Sequence, residues 1–199
     1  GSPDDPKQYT RLTANLVAEG PSVRVFLDSQ QRPSELAPNL PDEIVRLFEE
    51  RVLPRCAETV GVCRDIDRDG KFTVLLSPWL QRMQGGRTSL GGFTREADFR
   101  PDLPPPFSNH RDMIYLNSSA KCDPHLLTLL VHEFTHAVAF SVRSSDGAHR
   151  ALPAEDDWLN EAIAHVSENL NGSDWTNLDY RISRFLSAPN EYPLVVENY

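Results

Sequence analysis

The alternation of apolar and polar positions predicts three short strands and one amphipathic helix in the first two thirds of the chain. Short apolar or β-branched runs typical of strands lie at residues 22–27, 72–76 and 113–116. Between the first two runs, apolar residues recur at helical spacing over residues 42–52, and Pro54 is expected to bend or end that helix. This order of elements predicts an α+β domain with a small mixed sheet.

Two further helices are predicted after the last strand. Asp123 and Pro124 suit an N-cap and a first helical position, and the segment that follows is apolar on nearly all sides as far as Phe140. We therefore expect this helix to lie inside the domain. A second helix is predicted over about residues 156–171. The stripe of this helix predicted to face the core consists of Leu159, Ala162, Ile163, Val166 and Leu170.

The remaining segments set the expected domain boundaries. Gly1 and Ser2 resemble the scar of a cleaved tag, residues 3–22 resemble a polar tail or linker, and residues 23–199 are expected to form the folded domain. Residues 84–111 carry paired glycines and a run of prolines, and an irregular segment of that length is usually functional or disordered. We expect it either to cover a cleft or to be an exposed spacer.

Composition narrows the functional classes. The chain of 199 residues fits one domain or two joined subdomains, and its 29 acidic and 20 basic residues give a net charge of -9. That charge argues against nucleic-acid partners, because phosphate binding depends on Lys and Arg. The longest uninterrupted apolar run, residues 126–131, is too short to span a membrane. Three cysteines are too few for a disulfide framework and leave the compartment open.

The candidate chemistry is concentrated in His132-Glu133-Phe134-Thr135-His136, on the apolar helix. Positions i and i+4 project from one helix face, so both imidazoles can reach a single ion. Glu133 would then lie within reach of a water on that ion, and this H-E-x-x-H pattern is a signature of zinc metalloproteases. Two hydrogen-bonded core histidines are the alternative, but burying three such side chains is costly unless something binds them. The pattern favours a zinc site with Glu133 as general base.

A catalytic zinc needs a third protein ligand. The metzincin arrangement is excluded, because Ala139 and Val142 stand where it requires Gly and His. Glu161 on the following helix is the best candidate, since a helix that crosses the first could bring its carboxylate to the ion. Glu161 shares a stripe with His165 and Glu168 that, taken alone, would be expected to face solvent. His149, in a polar loop, is the rival third ligand.

With His132-Glu133-x-x-His136 followed by Asn160-Glu161-Ala162, the chain resembles the gluzincin group of zinc metallopeptidases, to which thermolysin belongs. Over about residues 23–199 it is most similar in pattern to the hyicolysin-like family of secreted bacterial peptidases. Weaker support comes from residues 65–70, 91–93, 98–99 and 185–189. The resemblance implies a zincin fold with a thermolysin-type N-terminal subdomain and a short helical C-terminal part. It also implies zinc ligands His132, His136 and Glu161, with Glu133 as base.

The chain departs from the thermolysin pattern at His165, where that pattern has an aspartate four residues after the third ligand. What orients His132 is therefore open, and Glu168 is one candidate. The resemblance also implies a Tyr or His beyond the third ligand that stabilises the oxyanion. Tyr180 is the first choice, and the alternatives are Tyr192 and Tyr199.

The predicted function is that of a zinc-dependent metalloendopeptidase acting on peptide or protein substrates. The predicted strand Ile114–Leu116, as a sheet edge, could hold an extended peptide by strand addition. A catalytically inactive zincin-fold binding domain is one alternative, which the intact Glu133 disfavours, and a zinc hydrolase of a non-peptide bond is another. The resemblance implies a secreted or extracytoplasmic bacterial protein whose signal peptide has been removed.

A second candidate metal site is Asp65-x-Asp67-x-Asp69-Gly70. It matches the first half of an EF-hand-like loop, with three carboxylates around one point and a glycine for the turn. The bidentate Glu expected at loop position twelve is missing, and Leu76 stands there. The sequence therefore leaves two interpretations, a calcium site and an Asp-rich turn into a strand.

Overall fold

A single mixed sheet organises the fold in the computed structural model, which describes residues 9–81, 90–144, 157–171 and 178–191. Its five strands lie in the order β1-β2-β3-β5-β4; the inner three are parallel and both edge strands are antiparallel to their neighbours. The strands are β1 (Ala14–Glu19), β2 (Val23–Asp28), β3 (Phe72–Ser77), β4 (Gly92–Phe93) and β5 (Met113–Asn117). With several helices packed on this sheet, the α+β architecture is consistent with a zincin-like fold.

The three predicted strands correspond to β2, β3 and β5, and the two edge strands were missed. The prediction of a tail over residues 3–22 is wrong for Ala14–Glu19, which pair with β2. The register of that pairing shifts between Leu16 and Ala18, so exposed and half-buried side chains do not alternate. The period-two signal that identifies a strand is therefore absent from this segment.

The edge of the sheet also differs from the prediction, which placed residues 114–116 there. β5 is an inner strand, because β4 pairs with it antiparallel through Gly92 with Leu116 and Phe93 with Tyr115. The edge available for strand addition on this side is therefore β4 and not residues 114–116. A strand of two residues is too short to leave a hydropathy pattern.

The first helical region is interrupted as Pro54 suggested. α1 (Leu40–Leu47) continues through a π-helical turn, Phe48–Val52, into α2 (Leu53–Thr59). Pro54 has no N–H to donate to the preceding turn, which explains the change in hydrogen bonding there. The helix ends where Gly61, with φ of +111°, donates its N–H to the carbonyl oxygen of Cys56 at 2.8 Å.

The long helix α3 (Pro124–Ser144) packs against the sheet at β4 and β5. Asp123 begins it as predicted, with its Oδ1 accepting the N–H of His125 at 3.0 Å. Phe134 holds it to the core through edge contacts with the rings of Phe48 and Phe72, whose centroids lie 5.8 Å and 5.1 Å away. The expected interior position of this helix is confirmed.

Residues Pro124–Arg143 are also long and apolar enough, by length and composition, to cross a membrane, although polar residues interrupt the apolar run. Inside the fold, 61% of this window is buried, as in a core helix.

The three cysteines are free: Cys56 is buried, Cys63 is partly buried and Cys122 is exposed.

The helix α4 (Asp157–Leu170) packs against α3 with the face opposite to the predicted one. Ala164, Ser167 and Glu168 are buried, whereas four residues of the predicted core stripe are 37% to 57% exposed: Leu159, Ile163, Val166 and Leu170. The prediction of that core stripe is therefore wrong. Two buried histidines on α3 need polar partners, and the polar stripe of α4 supplies them through Glu168 and Asn160. The last described helix is α5 (Leu178–Ser187).

Candidate metal centre

The two histidines of α3 converge on one point beside α4. The Nε2 atoms of His132 and His136 are 3.1 Å apart, as expected for side chains one helical turn apart on the same face. Both side chains are largely buried, with 15% and 8% of their surface exposed. Both rings contact α4, through Glu168 and Asn160, so the side chains of that helix are near enough to offer a third group.

Glu161 of α4 approaches both histidines. Its two carboxylate oxygens lie 3.4 Å from His132 Nε2 and 3.5 Å from His136 Nε2. Donor atoms of a tetrahedral zinc, each 2.0 to 2.1 Å from the ion, lie roughly 3.3 to 3.4 Å from one another. The three side chains predicted as zinc ligands are therefore brought together at a spacing that suits such an ion. The Glu161 side chain is 56% exposed, which leaves one side of this point open.

The far nitrogens of both imidazoles face acceptors. His132 Nδ1 is 2.6 Å from Glu168 Oε1, and His136 Nδ1 is 3.1 Å from Asn160 Oδ1. In the neutral tautomers that satisfy these acceptors, each Nδ1 carries the proton and each Nε2 presents a lone pair. In those tautomers both lone pairs point to the same place, where a bound cation could accept them. The chemistry of the donor set therefore fits a metal ion.

His165 adds a third imidazole to the cluster. Its Nδ1 lies 3.1 Å from the Glu168 Oε1 that also contacts His132, and the rings of His165 and His132 are 5.1 Å apart. His132, Glu161 and His165 together offer potential ligand atoms within 4.8 Å of one another. We favour His136 as the ligand because its Nε2 lies 3.1 Å from that of His132 and 3.5 Å from a carboxylate oxygen of Glu161.

The charges of the cluster depend on one another. Burial raises the pKa of Glu168, but hydrogen bonds from His132 and His165 outweigh burial and lower it to about 2. Burial lowers the pKa of His132, while Glu168 and the nearby carboxylates raise it above the usual value overall. Burial lowers the pKa of His136. Glu168 is thus a buried carboxylate that remains ionised beside His132.

Glu133 lies on the sheet side of the same helix turn and is only 5% exposed. Burial raises the pKa of its carboxyl to about 7, although His132 and a hydrogen bond from Thr94 act in the opposite direction. Sequence reasoning singled out neither Thr94 nor the role of Asn160. Their positions depend on contacts between distant segments, and no local pattern signals them.

Several of the other predicted site residues lie outside the described part of the chain. The side chain of Tyr180 is outside it, although its backbone belongs to α5. The rival ligand His149 and the alternative tyrosines, Tyr192 and Tyr199, also lie outside the described residues. Their proposed roles stay predictions.

The aspartates of the second candidate site are also brought together. Asp65, Asp67 and Asp69 offer carboxylate oxygens within 4.8 Å of one another. Asp65 accepts the backbone N–H groups of Gly70 at 2.9 Å and of Asp69 at 3.2 Å, which closes the loop. Gly70 has φ of +77°, a conformation that favours glycine. This geometry is shared by the two interpretations, the calcium loop and the Asp-rich turn.

Two arginines occupy part of the space around these carboxylates. Arg24 Nη1 is 2.7 Å from Asp69 Oδ2, and Arg111 Nη2 is 2.8 Å from Asp67 Oδ2. Asp67 Oδ1 is buried and has no hydrogen-bond partner among the described residues. Beside the loop, burial raises the pKa of the Asp112 carboxyl to about 7. Since the arginines already neutralise two carboxylates, the fit to calcium is weaker than the fit of the histidine cluster to zinc.

Replacing Glu168 with Gln should weaken zinc binding by about 10- to 100-fold, because the charge that makes His132 a better ligand is lost. Competition with a chromophoric chelator would measure the change. Glu58→Gln, at an exposed position of α2, is the matched control and should bind zinc like the parent. Parent-like affinity in Glu168→Gln would mean that this contact does not support the metal site.

No protein-family model matches the chain. The chain is similar to the neutral metalloprotease ShpI of Staphylococcus hyicus, with 25% identity over an alignment of 205 residues. The alignment covers 95% of this chain but 43% of that protein, so the chain spans less than half of the relative's length. This similarity supports a relationship to the metalloproteases in general and extends over nearly the whole of the chain.

Proposed function

We propose that this protein is a zinc-dependent peptidase in which His132, His136 and Glu161 hold the ion and Glu133 is the general base. The observation that carries the proposal is the convergence of three donor groups at 3.1 to 3.5 Å, beside a buried carboxylate one residue along the same helix. The similarity to a neutral metalloprotease supports a metal-dependent peptidase in general. The narrower resemblance to the hyicolysin-like family is part of the proposal.

When bound, zinc would act as a Lewis acid toward the attacking water and the scissile carbonyl. Glu133 accepts the proton of that water at its carboxylate and passes it to the leaving amine. Burial raises the pKa of the Glu133 carboxyl, and the positive charge of a bound zinc would lower it again, which favours the ionised form that can accept the proton. Glu168 and Asn160 keep the two imidazoles oriented throughout. Tyr180 is proposed as the donor to the oxyanion, on the family resemblance alone.

The substrate is proposed to be an extended peptide. β4 is the sheet edge on the side of Glu133: in this strand, a Cβ atom at Gly92 would lie 3.1 Å from Glu133 Cγ. A peptide that added to β4 as a further strand would thus run past the catalytic base. We also propose that the protein acts outside the cytoplasm, as the resemblance to secreted peptidases implies.

Elemental analysis combined with a casein hydrolysis assay tests the proposal. Purified protein exposed to a slight excess of zinc should retain close to one zinc per chain and hydrolyse casein, and a chelator should abolish hydrolysis reversibly. Zinc without hydrolysis of casein or of a peptide library would favour the binding domain or the hydrolase of a non-peptide bond. Absence of retained zinc would contradict the metal site itself.

Calcium at the aspartate loop is a second, separate proposal. Because a ligand that binds only the folded state stabilises it, calcium at 100 times its Kd should add about 2.7 kcal/mol to the free energy of unfolding. We expect a higher melting temperature when calcium is added to zinc-loaded protein stripped of calcium. Asp65→Asn should lose this shift, whereas the exposed control Asp102→Asn should keep it. No shift at millimolar calcium would favour the plain turn.

A further inference from the structure

The short edge strand β4 lies against α3 at the position of Glu133. A Cβ atom at Gly92 would come within 2.9 Å of Leu116 Cδ2, 3.0 Å of the Tyr115 carbonyl oxygen and 3.1 Å of Glu133 Cγ. Contacts that short leave no room for a side chain, so the close approach of β4 to α3 requires glycine here. The residues that follow β4 are therefore brought close to α3.

Thr94 directly follows β4 and reaches Glu133 with its hydroxyl group. Thr94 Oγ1 lies 2.9 Å from Glu133 Oε2 and 2.8 Å from the backbone carbonyl oxygen of Glu133. One hydroxyl thus contacts both ends of the same residue, its carboxylate and its backbone. The hydroxyl has a rotatable proton and two lone pairs, so it can donate to either oxygen and can also accept.

We infer that Thr94 is a positioning residue for Glu133, which fixes the carboxylate relative to the backbone of α3. The inference rests on the proposed function, in which Glu133 moves a proton. A glutamate has three rotatable side-chain bonds, and a general base must keep its carboxylate within hydrogen-bond reach of the proton it takes. Thr94 provides an anchor for that carboxylate from a segment 39 residues away in the chain.

A purely structural role for Thr94 would be to tie β4 to α3 through the backbone carbonyl oxygen. That role would affect folding and peptide binding but not the proton-transfer step in particular. The two roles differ in which kinetic constant changes. Loss of a positioning residue lowers kcat, whereas loss of the substrate-binding edge raises KM.

The test compares Thr94→Val, which keeps the shape and the β-branch but removes the hydroxyl, with Thr94→Ser, which keeps the hydroxyl. Thr94→Val should lower kcat for peptide hydrolysis by about 10- to 100-fold, the rate equivalent of a hydrogen bond to a charged group. KM and zinc affinity should stay close to those of the parent. Thr94→Ser should recover most of kcat, and the control Thr59→Val, at an exposed site on α2, should leave it unchanged.

Two measurements separate failure of this inference from failure of the proposed function. In a Glu133→Gln background, Thr94→Val should change the residual rate less than about twofold, because residues that act through one group are not additive. A crystal structure of zinc-loaded Thr94→Val should show the Glu133 carboxylate displaced, whether or not the protein cleaves peptides. Parent-like kcat in Thr94→Val, or an unmoved Glu133 carboxylate, would overturn the positioning role.

Discussion

Replacing Glu133 with Gln should remove most peptide hydrolysis and leave the zinc in place. Gln keeps the size and the helix propensity of Glu, and its amide oxygen can still accept a hydrogen bond from the Thr94 hydroxyl. The amide cannot, however, take a proton from water at neutral pH. A positioned general base contributes about 10² to 10⁴ in rate, or roughly 3 to 5 kcal/mol of activation free energy. Steady-state kinetics on a fluorogenic peptide, with zinc content measured on the same sample, would check both parts.

The outcomes of this experiment distinguish the roles that Glu133 could have. Loss of zinc together with activity would make Glu133 a ligand or a structural residue. Activity near that of the parent would mean that the hydrolysis comes from another site or from a contaminant. Glu58→Gln on α2 is again the control for the loss of one negative charge, and it should have the rate and melting temperature of the parent.

The second large effect is expected at Glu161. Glu161→Ala removes one of the three proposed protein ligands and should weaken zinc binding by more than the 10- to 100-fold typical of a lost outer contact. The Glu161 side chain is 56% exposed, so the metal-free variant should fold like the metal-free parent. Chelator competition gives the affinity, and the melting temperature of both stripped proteins gives the folding control.

His149→Ala is the matched comparison for Glu161, because His149 is the rival third ligand. The arrangement of Glu161 beside both Nε2 atoms leads us to expect parent-like zinc affinity in His149→Ala. The opposite ranking, with His149→Ala weak and Glu161→Ala tight, would move the third ligand to the loop. Equal losses in both variants would contradict a site with three protein ligands.

The parts of the site that could be predicted from sequence depend on local geometry. His132 and His136 face one point because a helix repeats every 3.6 residues, and that holds wherever the helix lies in the fold. The position of Glu161 beside both histidines could be predicted because a metal site would need a third ligand and the next helix offers a carboxylate. Thr94 and Asn160 could not be predicted, since each acts through a contact that only the folded chain creates.

The largest error of the sequence prediction concerned α4, for a physical reason. Helical amphipathicity assumes that the apolar stripe faces the core, and by that rule Leu159, Ile163 and Val166 should be buried. The structure turns Glu168 and His165 toward α3 instead, because the buried imidazoles there need hydrogen-bonding partners. The edge strands β1 and β4 were missed because one is irregular and the other is too short for a periodic pattern.

The inward polar stripe of α4 has a consequence for how the fold is held together. Neighbouring helices are usually held together by burial of apolar side chains. Between α3 and α4, hydrogen-bonding groups and the proposed ligands replace much of that apolar contact. The binding free energy of the ion would therefore also be docking free energy of α4. In such a protein, assembling the reaction centre would also stabilise the C-terminal part of the fold, and a chelator should lower the free energy of unfolding.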